Sequence, residues 1–354
     1  MMTVEPIFFS TLPDKVSSIW NSLLEQSPSP KFQYDFQYML AWSKYQREDW
    51  KPFLLLVKEN NSVKGIIPLM YRDEKRRGIL PYRRIKFLGY TFTDFSTILA
   101  AEKDLATVTT AALKWLFSGK LRWELLILDD LIEGNPVINT LQTWLNKNIK
   151  TYNEHKGKYY YINLERDWQD IWLETSKKFV RRSLSLAKNR INKAGTWEVV
   201  INPNWQPEKI ISTASTMHIK RQNDFNRDSI YNKQNFNKFL KSIIEHNQGR
   251  FRSYWLKYEE TYIAYYLHFE QDNVSYCWNS AFHPDYANFY PSRLLLFHVL
   301  QDCYNRKLKE FNFMRGETDY KLKWTKQFRG NYRFTIKNHN HFYGKMISSL
   351  EKIL

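Results

Sequence analysis

Two short stretches concentrate the residue types that can do chemistry. The first is PSRLLL at 291–296, which follows the turn HPDYANFY. It opens a segment with Leu296, Val299, Leu300 and Cys303 at spacings of three and four, the mark of one helical face. A helix starting here leaves backbone N–H groups unbonded and carries partial positive charge, which suits a phosphate. Pro291 fits the first helical position, Ser292 is small and can donate, Arg293 adds a cation, and Leu294 completes the turn. The nearest acid is Asp285. The plainer reading is that Pro291 and Ser292 only start the helix. The second stretch, FNFMRGETDYKLKW at 311–324, opens like a strand and turns at Arg315, Gly316 and Glu317. It then alternates charge and ring through Asp319, Tyr320, Lys321 and Trp324, which is more than a plain surface loop needs.

The elements around these stretches recur twice along the chain. In the first half, 15–25 and 36–45 read as helices, and 52–71 as a hairpin across the polar turn ENNS. A basic link, DEKRRG, leads to YRRIKFLGY; 104–118 is a helix and 121–130 a buried strand ending in acids. In the second half, 250–270 reads again as strand, turn, strand. A strand follows at 273–282, a helix at 291–307 and a strand at 309–316. The repeat is one of element order and predicts two similarly built α/β halves. The first-half helix begins AAEKDLATV, where Glu102 and Asp104 would repel a phosphate, so only the second half is expected to hold one.

Between the halves, 171–195 carries Leu173, Val180, Leu184, Ala187 and Ile191 on one predicted helical stripe. Lys177, Lys178, Arg181, Arg182, Lys188, Arg190 and Lys193 cover much of the rest, opposed by Glu174. This is either a solvated face or a contact for a phosphate-rich substrate or a membrane surface. Gly195 is a natural terminator, and TWEVVI then starts a strand.

Composition narrows the class. The chain has 354 residues, 43% hydrophobic and 25% charged, as expected of a folded protein of two domains or one large one. The net charge of +17 suits an anionic partner or solubility alone. The two cysteines, Cys277 and Cys303, sit among apolar residues and are expected as buried thiols. The start MMTVEPIFF lacks the pattern of a signal peptide, and no apolar run is long enough to cross a bilayer. A cytoplasmic protein is expected, with membrane-peripheral docking as an option. No HExxH is present, and the HxH of His339 and His341 reads as a surface pair, so no metal site is expected. GxSxG, Walker and GxGxxG motifs are absent, as are recognisable nucleic-acid modules.

The run 276–325 resembles the CelD-like acyltransferases of the GNAT superfamily. Their pattern is an aromatic strand, DPxYAxxSPGxLLL, a helix, a strand of the xFDFxRG type, then GDEPYKxxW. Here HPDYANFYPSRLLL, EFNFMRG and GETDYKLKW stand in those places. KKFVRRSLSLAKNRINKAG looks like the family's helix before the second half, and the hairpin at 52–71 fits its N-terminal hairpin more loosely. Two departures stand out: Ser292 replaces the usual glycine after the proline, and Thr318 and Asp319 replace Glu and Pro.

The resemblance implies an α/β fold of two tandem GNAT-like domains, each a mixed, mostly antiparallel sheet flanked by helices. A degenerate domain would span 1–165, and a domain with the acyl-CoA site 166–345. It implies acetyl-CoA or another acyl-CoA as co-substrate, no metal, and transfer of the acyl group to an amine. The acceptor would be an amino sugar or similar molecule, nucleotide- or lipid-linked, in surface polysaccharide synthesis. Pro291, Ser292, Arg293 and Leu294 would meet the CoA pyrophosphate. Glu317 would accept the amine proton or hold the ammonium group, and Tyr320 would relay a proton or protonate the departing thiolate. Arg315, Asp319, Lys321 and Trp324 would wall the substrate side, with Lys321 pairing Glu317 or an acceptor phosphate. A Fem-type transferase using aminoacyl-tRNA and a non-catalytic binding module of the same fold are the alternatives.

Overall fold

The computed structural model describes residues 2–29, 31–76, 80–175 and 178–338. His339 and His341 lie outside the described residues, as does Lys177. The chain forms two compact units: one holds the residues through Gly157 together with those from Gly330, the other runs Lys158–Arg329.

The first unit contains β1 (Met2–Phe8), α1 (Ser17–Glu25), α2 (Phe36–Tyr45), β2 (Lys51–Glu59), β3 (Ser62–Arg76), β4 (Leu80–Phe87), β5 (Leu99–Ala100), α3 (Glu102–Leu116), β6 (Leu125–Ile132) and α4 (Pro136–Asn148). The hairpin β2–β3 turns at Asn60 and Asn61, both at positive φ (48° and 63°), the conformation that matches a two-residue turn to strand twist. The basic link expected after this hairpin is the far end of β3, which pairs with β4 through Arg76 and Leu80. β4 pairs β6 in parallel, from Arg84 opposite Leu125 to Lys86 opposite Ile127. Alternate residues Phe53, Leu55 and Val57 of β2 meet Leu105, Val108, Ala112 and Leu116 of α3 in one apolar core.

β7 (Tyr152–Asn163) leads into the second unit. There follow α5 (Trp168–Thr175), α6 (Lys178–Ala194), β8 (Trp197–Ile201), α7 (Pro207–Asn223), α8 (Phe236–His246), β9 (Phe251–Tyr258), β10 (Thr261–Gln271), β11 (Val274–Phe282), α9 (Pro291–Asn305), β12 (Glu310–Arg315), α10 (Asp319–Trp324) and β13 (Phe328–Lys337). The unit's strands run in the order β7-β12-β11-β10-β9-β8, antiparallel except for β11 with β12. The single helix expected over 171–195 is two helices, α5 and α6. Val180, Leu184, Ala187 and Ile191 are buried, but Leu173 sits on α5 and is 58% exposed, so the stripe does not run through both.

The repeat of element order holds at the level of pairing. In each unit a hairpin and a third strand (β2–β3–β4, β9–β10–β11) precede a helix (α3, α9). The next strand (β6, β12) then pairs in parallel with the third. Each unit is therefore an α/β layer structure on a mixed, mostly antiparallel sheet. The last strand, β13, pairs antiparallel with β6 from Asn331 to Lys337 and so belongs to the first unit's sheet.

Candidate functional site

Strands β11 and β12 pair only from Val274 opposite Glu310 to Tyr276 opposite Asn312. Beyond that point β11 runs on to Phe282 and β12 to Arg315 without a ladder between them. At β12, Met314 takes a positive φ of 61° and its N–H is held by the Asn312 Oδ1 at 2.8 Å; Gly316 follows at φ 100°. These left-handed residues bend the strand end away from its partner.

A cleft of about 560 Å³ lies at this end of the second unit. Its lining includes Ser280, Ala281 and Phe282 from β11, Tyr290 to Arg293 from the start of α9, Tyr266 from β10, and Tyr320 and Trp324 from α10. The helix start and the aromatic stretch are thus brought to one cavity. Among the described residues, none lining it is acidic, while Arg221, Arg227 and Arg293 all do.

The start of α9 is shaped by Tyr290, at φ 51° and ψ 48°, with no side chain capping the helix. A short 3-10 segment, Pro284–Phe289, delivers the chain to it. Arg190 of α6 steadies that segment by donating to the Asn288 carbonyl at 2.9 Å, with its guanidinium 5.6 Å over the Tyr290 ring. The helix offers fewer amides than its sequence suggests. Pro291 has no N–H, and those of Arg293 and Leu294 both return to the Tyr290 carbonyl, at 3.0 and 3.1 Å. The Ser292 N–H is the amide of this turn left without a backbone partner among the described residues. Leu294 does not reach the cleft; it is fully buried in the core beside Leu295 and Leu296.

Tyr266 donates to the Ser292 carbonyl at 3.3 Å. Burial lifts its pKa well above the ordinary tyrosine value, with Tyr320 and Cys277 adding to the shift and Arg293 opposing it. Tyr320 lines the cleft and exposes 39% of its surface. Burial raises its pKa as well, with Cys277 adding. Its ring meets Phe313 edge-on at 6.0 Å. Cys277 is a buried thiol, pushed up to about 12 by burial; Cys303 is likewise buried and pushed up to about 12. Arg293 sits 5.1 Å over Tyr290, and its own burial lowers its pKa.

The remaining residues of the aromatic stretch are divided. Trp324 is 3% exposed and walls the cleft. Lys321 is buried and donates to the carbonyls of Met314 (3.1 Å) and Arg315 (2.7 Å), closing the end of β12 rather than lining the cavity. Glu317 lies on the turn outside the lining, with its carboxylate 3.4 Å from the Lys158 ammonium and its side chain 52% exposed. Arg315 and Asp319 are also outside the lining, Asp319 as the exposed first residue of α10.

Sequence reasoning missed Tyr266, Phe282, Arg221 of α7, and Phe225 and Arg227 just beyond it. The run RQNDFNR carries no periodic or motif signal; only the packing of α7 on the sheet brings it beside β11.

Residues 178–322 match the family model for the acetyltransferase (GNAT) domain. FemX aligns at a TM-score of 0.60 and 10% identity, over 95% of this chain and 98% of that one. A conserved protein of unknown function from Bacteroides thetaiotaomicron aligns at 0.57 and 9% identity, over 94% and 100%. L-PGS from Bacillus licheniformis aligns at 0.56 and 11% identity, over 96% and 96%. No curated protein matches the chain significantly. At these identities the likeness shows the fold alone: a two-domain, GNAT-like α/β chain, with the family-model match falling inside the second unit. Among the described residues, no helix is long and apolar enough to cross a membrane, and no cluster of His, Cys, Asp or Glu has the makings of a metal site.

Proposed function

We propose that the second unit is an acyl-CoA-dependent N-acyltransferase. Its acceptor is the amine of an amino sugar or similar molecule, in surface polysaccharide synthesis. The observation that carries the transferase reading is the cleft of about 560 Å³ that joins the first turn of α9 to Tyr320 and Trp324. The donor residues fit a phosphate, though narrowly: the Ser292 N–H and the Arg293 guanidinium supply charge and a hydrogen bond, and no lining residue repels it. The smaller Gly of the related motif is replaced by serine here, which narrows the approach of a phosphate to the backbone. The acceptor class and pathway rest on the likeness to CelD-like sequences alone.

When bound, acyl-CoA would supply an acyl group activated as a thioester. The chain's own residues then have three tasks. Trp324 and Phe282 exclude water from the reacting centre. The Tyr320 hydroxyl, held protonated by burial, gives its proton to the sulfur as the carbon–sulfur bond breaks. Glu317, on the turn leading to α10 and outside the cleft lining, takes through intervening solvent the proton that the amine loses as its bond to carbon forms. The amine proton thus passes to carboxylate or solvent, the sulfur leaves as a thiol, and Tyr320 is reprotonated from solvent.

A second reading, a Fem-type transferase fed by aminoacyl-tRNA, is favoured by the FemX likeness over nearly all of both chains and by the basic face of α6. Thermal denaturation with acetyl-CoA and with charged tRNA separates the two. A melting temperature raised by acetyl-CoA and unmoved by tRNA is expected. A rise with tRNA alone would transfer the chain to the second reading.

A further inference from the structure

The basic residues of the cleft come from opposite faces of the sheet. On one face, α6 and α9 share a core with Tyr254, Leu256, Ala264 and Tyr266. Neighbouring strand residues point the other way. There Trp255 packs on Trp205 at 5.0 Å, Tyr231 and Tyr265 both donate to Asn279, and Phe236 of α8 stacks on Trp278. Helix α7 lies on this second face against β11. Arg293 therefore enters the cleft from one side, and Arg221 and Arg227 from the other.

The Arg221 guanidinium lies over two rings, Phe225 at 3.9 Å and Phe282 at 4.4 Å, and Arg227 lies 5.6 Å over Phe225. Burial lowers the pKa of Arg221, and Asp224 offsets this only in part. Among the described residues, no carboxylate comes within ion-pair distance of Arg221 or Arg227. Asp285, on the 3-10 segment before α9, is paired with Lys220 at 2.6 Å. Phe225 is 49% exposed, an apolar ring left at the cleft's rim beside the two cations. A partly buried, aromatic-stacked arginine without a counter-ion is costly unless a ligand supplies the charge.

We infer that Arg221 and Arg227, stacked about Phe225, form a phosphate subsite for the second substrate, distinct from the donor phosphates at α9. The acceptor then carries a phosphate in addition to its amine. Two guanidinium forks match the charge of a phosphate ester or pyrophosphate, and the ring beneath them gives the attached group a flat surface. This inference rests on the transferase reading for the word acceptor; the subsite itself rests on the arginines.

The test uses inorganic pyrophosphate as probe, titrated calorimetrically into the protein saturated with acetyl-CoA. The wild type should bind it, and Arg221→Gln/Arg227→Gln should weaken that binding about tenfold or more. The same variant should leave acetyl-CoA affinity within about twofold. Arg227→Gln alone, at an exposed position, guards against a folding defect and should weaken the probe in the same direction. Three outcomes would overturn the inference: no pyrophosphate binding by the wild type, equal binding by the variants, or a parallel loss of acetyl-CoA affinity that assigns the arginines to the donor. Failure of the wild type to bind acetyl-CoA would sink the transferase reading instead. The arginine comparison would then be made on the protein alone.

Discussion

The Tyr266 hydroxyl reaches the carbonyl of Ser292 at 3.3 Å, so the middle of β10 is tied to the first turn of α9. The bond joins two residues of the cleft wall and sits beside Tyr320 and Cys277, whose charges would raise the cost of ionising Tyr266. Tyr266 and Tyr320 therefore stay neutral hydroxyls in the wall at ordinary pH, with arginine as the charge it offers a ligand.

Loading at α9 and not at α3 can be tested by exchanging charge. Ser292→Glu places a carboxylate in the first turn of α9 and should weaken acetyl-CoA binding about tenfold. Asp104→Ala removes one of the two acids in the first turn of α3. It should leave that affinity unchanged while costing about 0.5 kcal/mol of stability. Calorimetric titration and urea denaturation read the two effects; equal loss of affinity in both variants would contradict the assignment.

Tyr320→Phe keeps the edge contact with Phe313 and removes the proton. Turnover should fall about 10- to 100-fold with little change in KM, measured as thiol release from acetyl-CoA with an amine acceptor. Because burial raises the Tyr320 pKa, the wild type should show no alkaline loss of activity from this group at or below its ordinary pKa of 10.0. Glu317→Gln breaks an exposed pair with Lys158 and should leave stability essentially unchanged. A fall in turnover without a fall in stability would support its role at the amine.

Stability should decline in mild acid because of His268. This side chain is fully buried, with Nδ1 2.8 Å from the Ser275 hydroxyl, and burial lowers its pKa from 6.5 to about 3, helped by Arg306 and Arg252. Between those values the unfolded chain takes up a proton that the folded chain refuses, so stability is full above the unfolded pKa and is lost as pH falls. The loss from this group should be about 2 kcal/mol between pH 7 and pH 5. His268→Phe should flatten the pH dependence of urea denaturation across that window. An unchanged slope would remove His268 as its source.

In the first unit, Lys86 and Asp129 form a buried ion pair at 3.2 Å, with side chains 4% and 3% exposed, and the Lys86 ammonium lies over the Tyr90 ring. Lys86→Met leaves a buried carboxylate with less compensation and should cost about 3 kcal/mol. Lys86→Met/Asp129→Leu should recover much of that loss. Melting temperatures of the three proteins decide the matter.

Period and turn chemistry make the repeat of hairpin, strand, helix and strand legible in the sequence. The Asn-rich turn of β2–β3 and the apolar spacing of α9 are local signals, and local structure obeyed them. Leu173 was misread because periodicity cannot see that α5 and α6 are separate helices. Lys321 looked like a ligand for an anion, but its ammonium turns back to two carbonyls at the end of β12, a contact set by the left-handed Met314. Arg221 and Phe225 were invisible because their role depends on non-local packing of α7 against β11.

The return of β13 to β6 orders events during synthesis. Everything from Lys158 to Arg329 leaves the ribosome before Asn331–Lys337 exists to pair with Ile132–Leu125. For roughly ten seconds or more at ordinary elongation rates, the nascent first unit lacks its closing strand and presents β6 as an open, apolar margin. A ribosome that stalls within the second unit leaves the first one unable to finish.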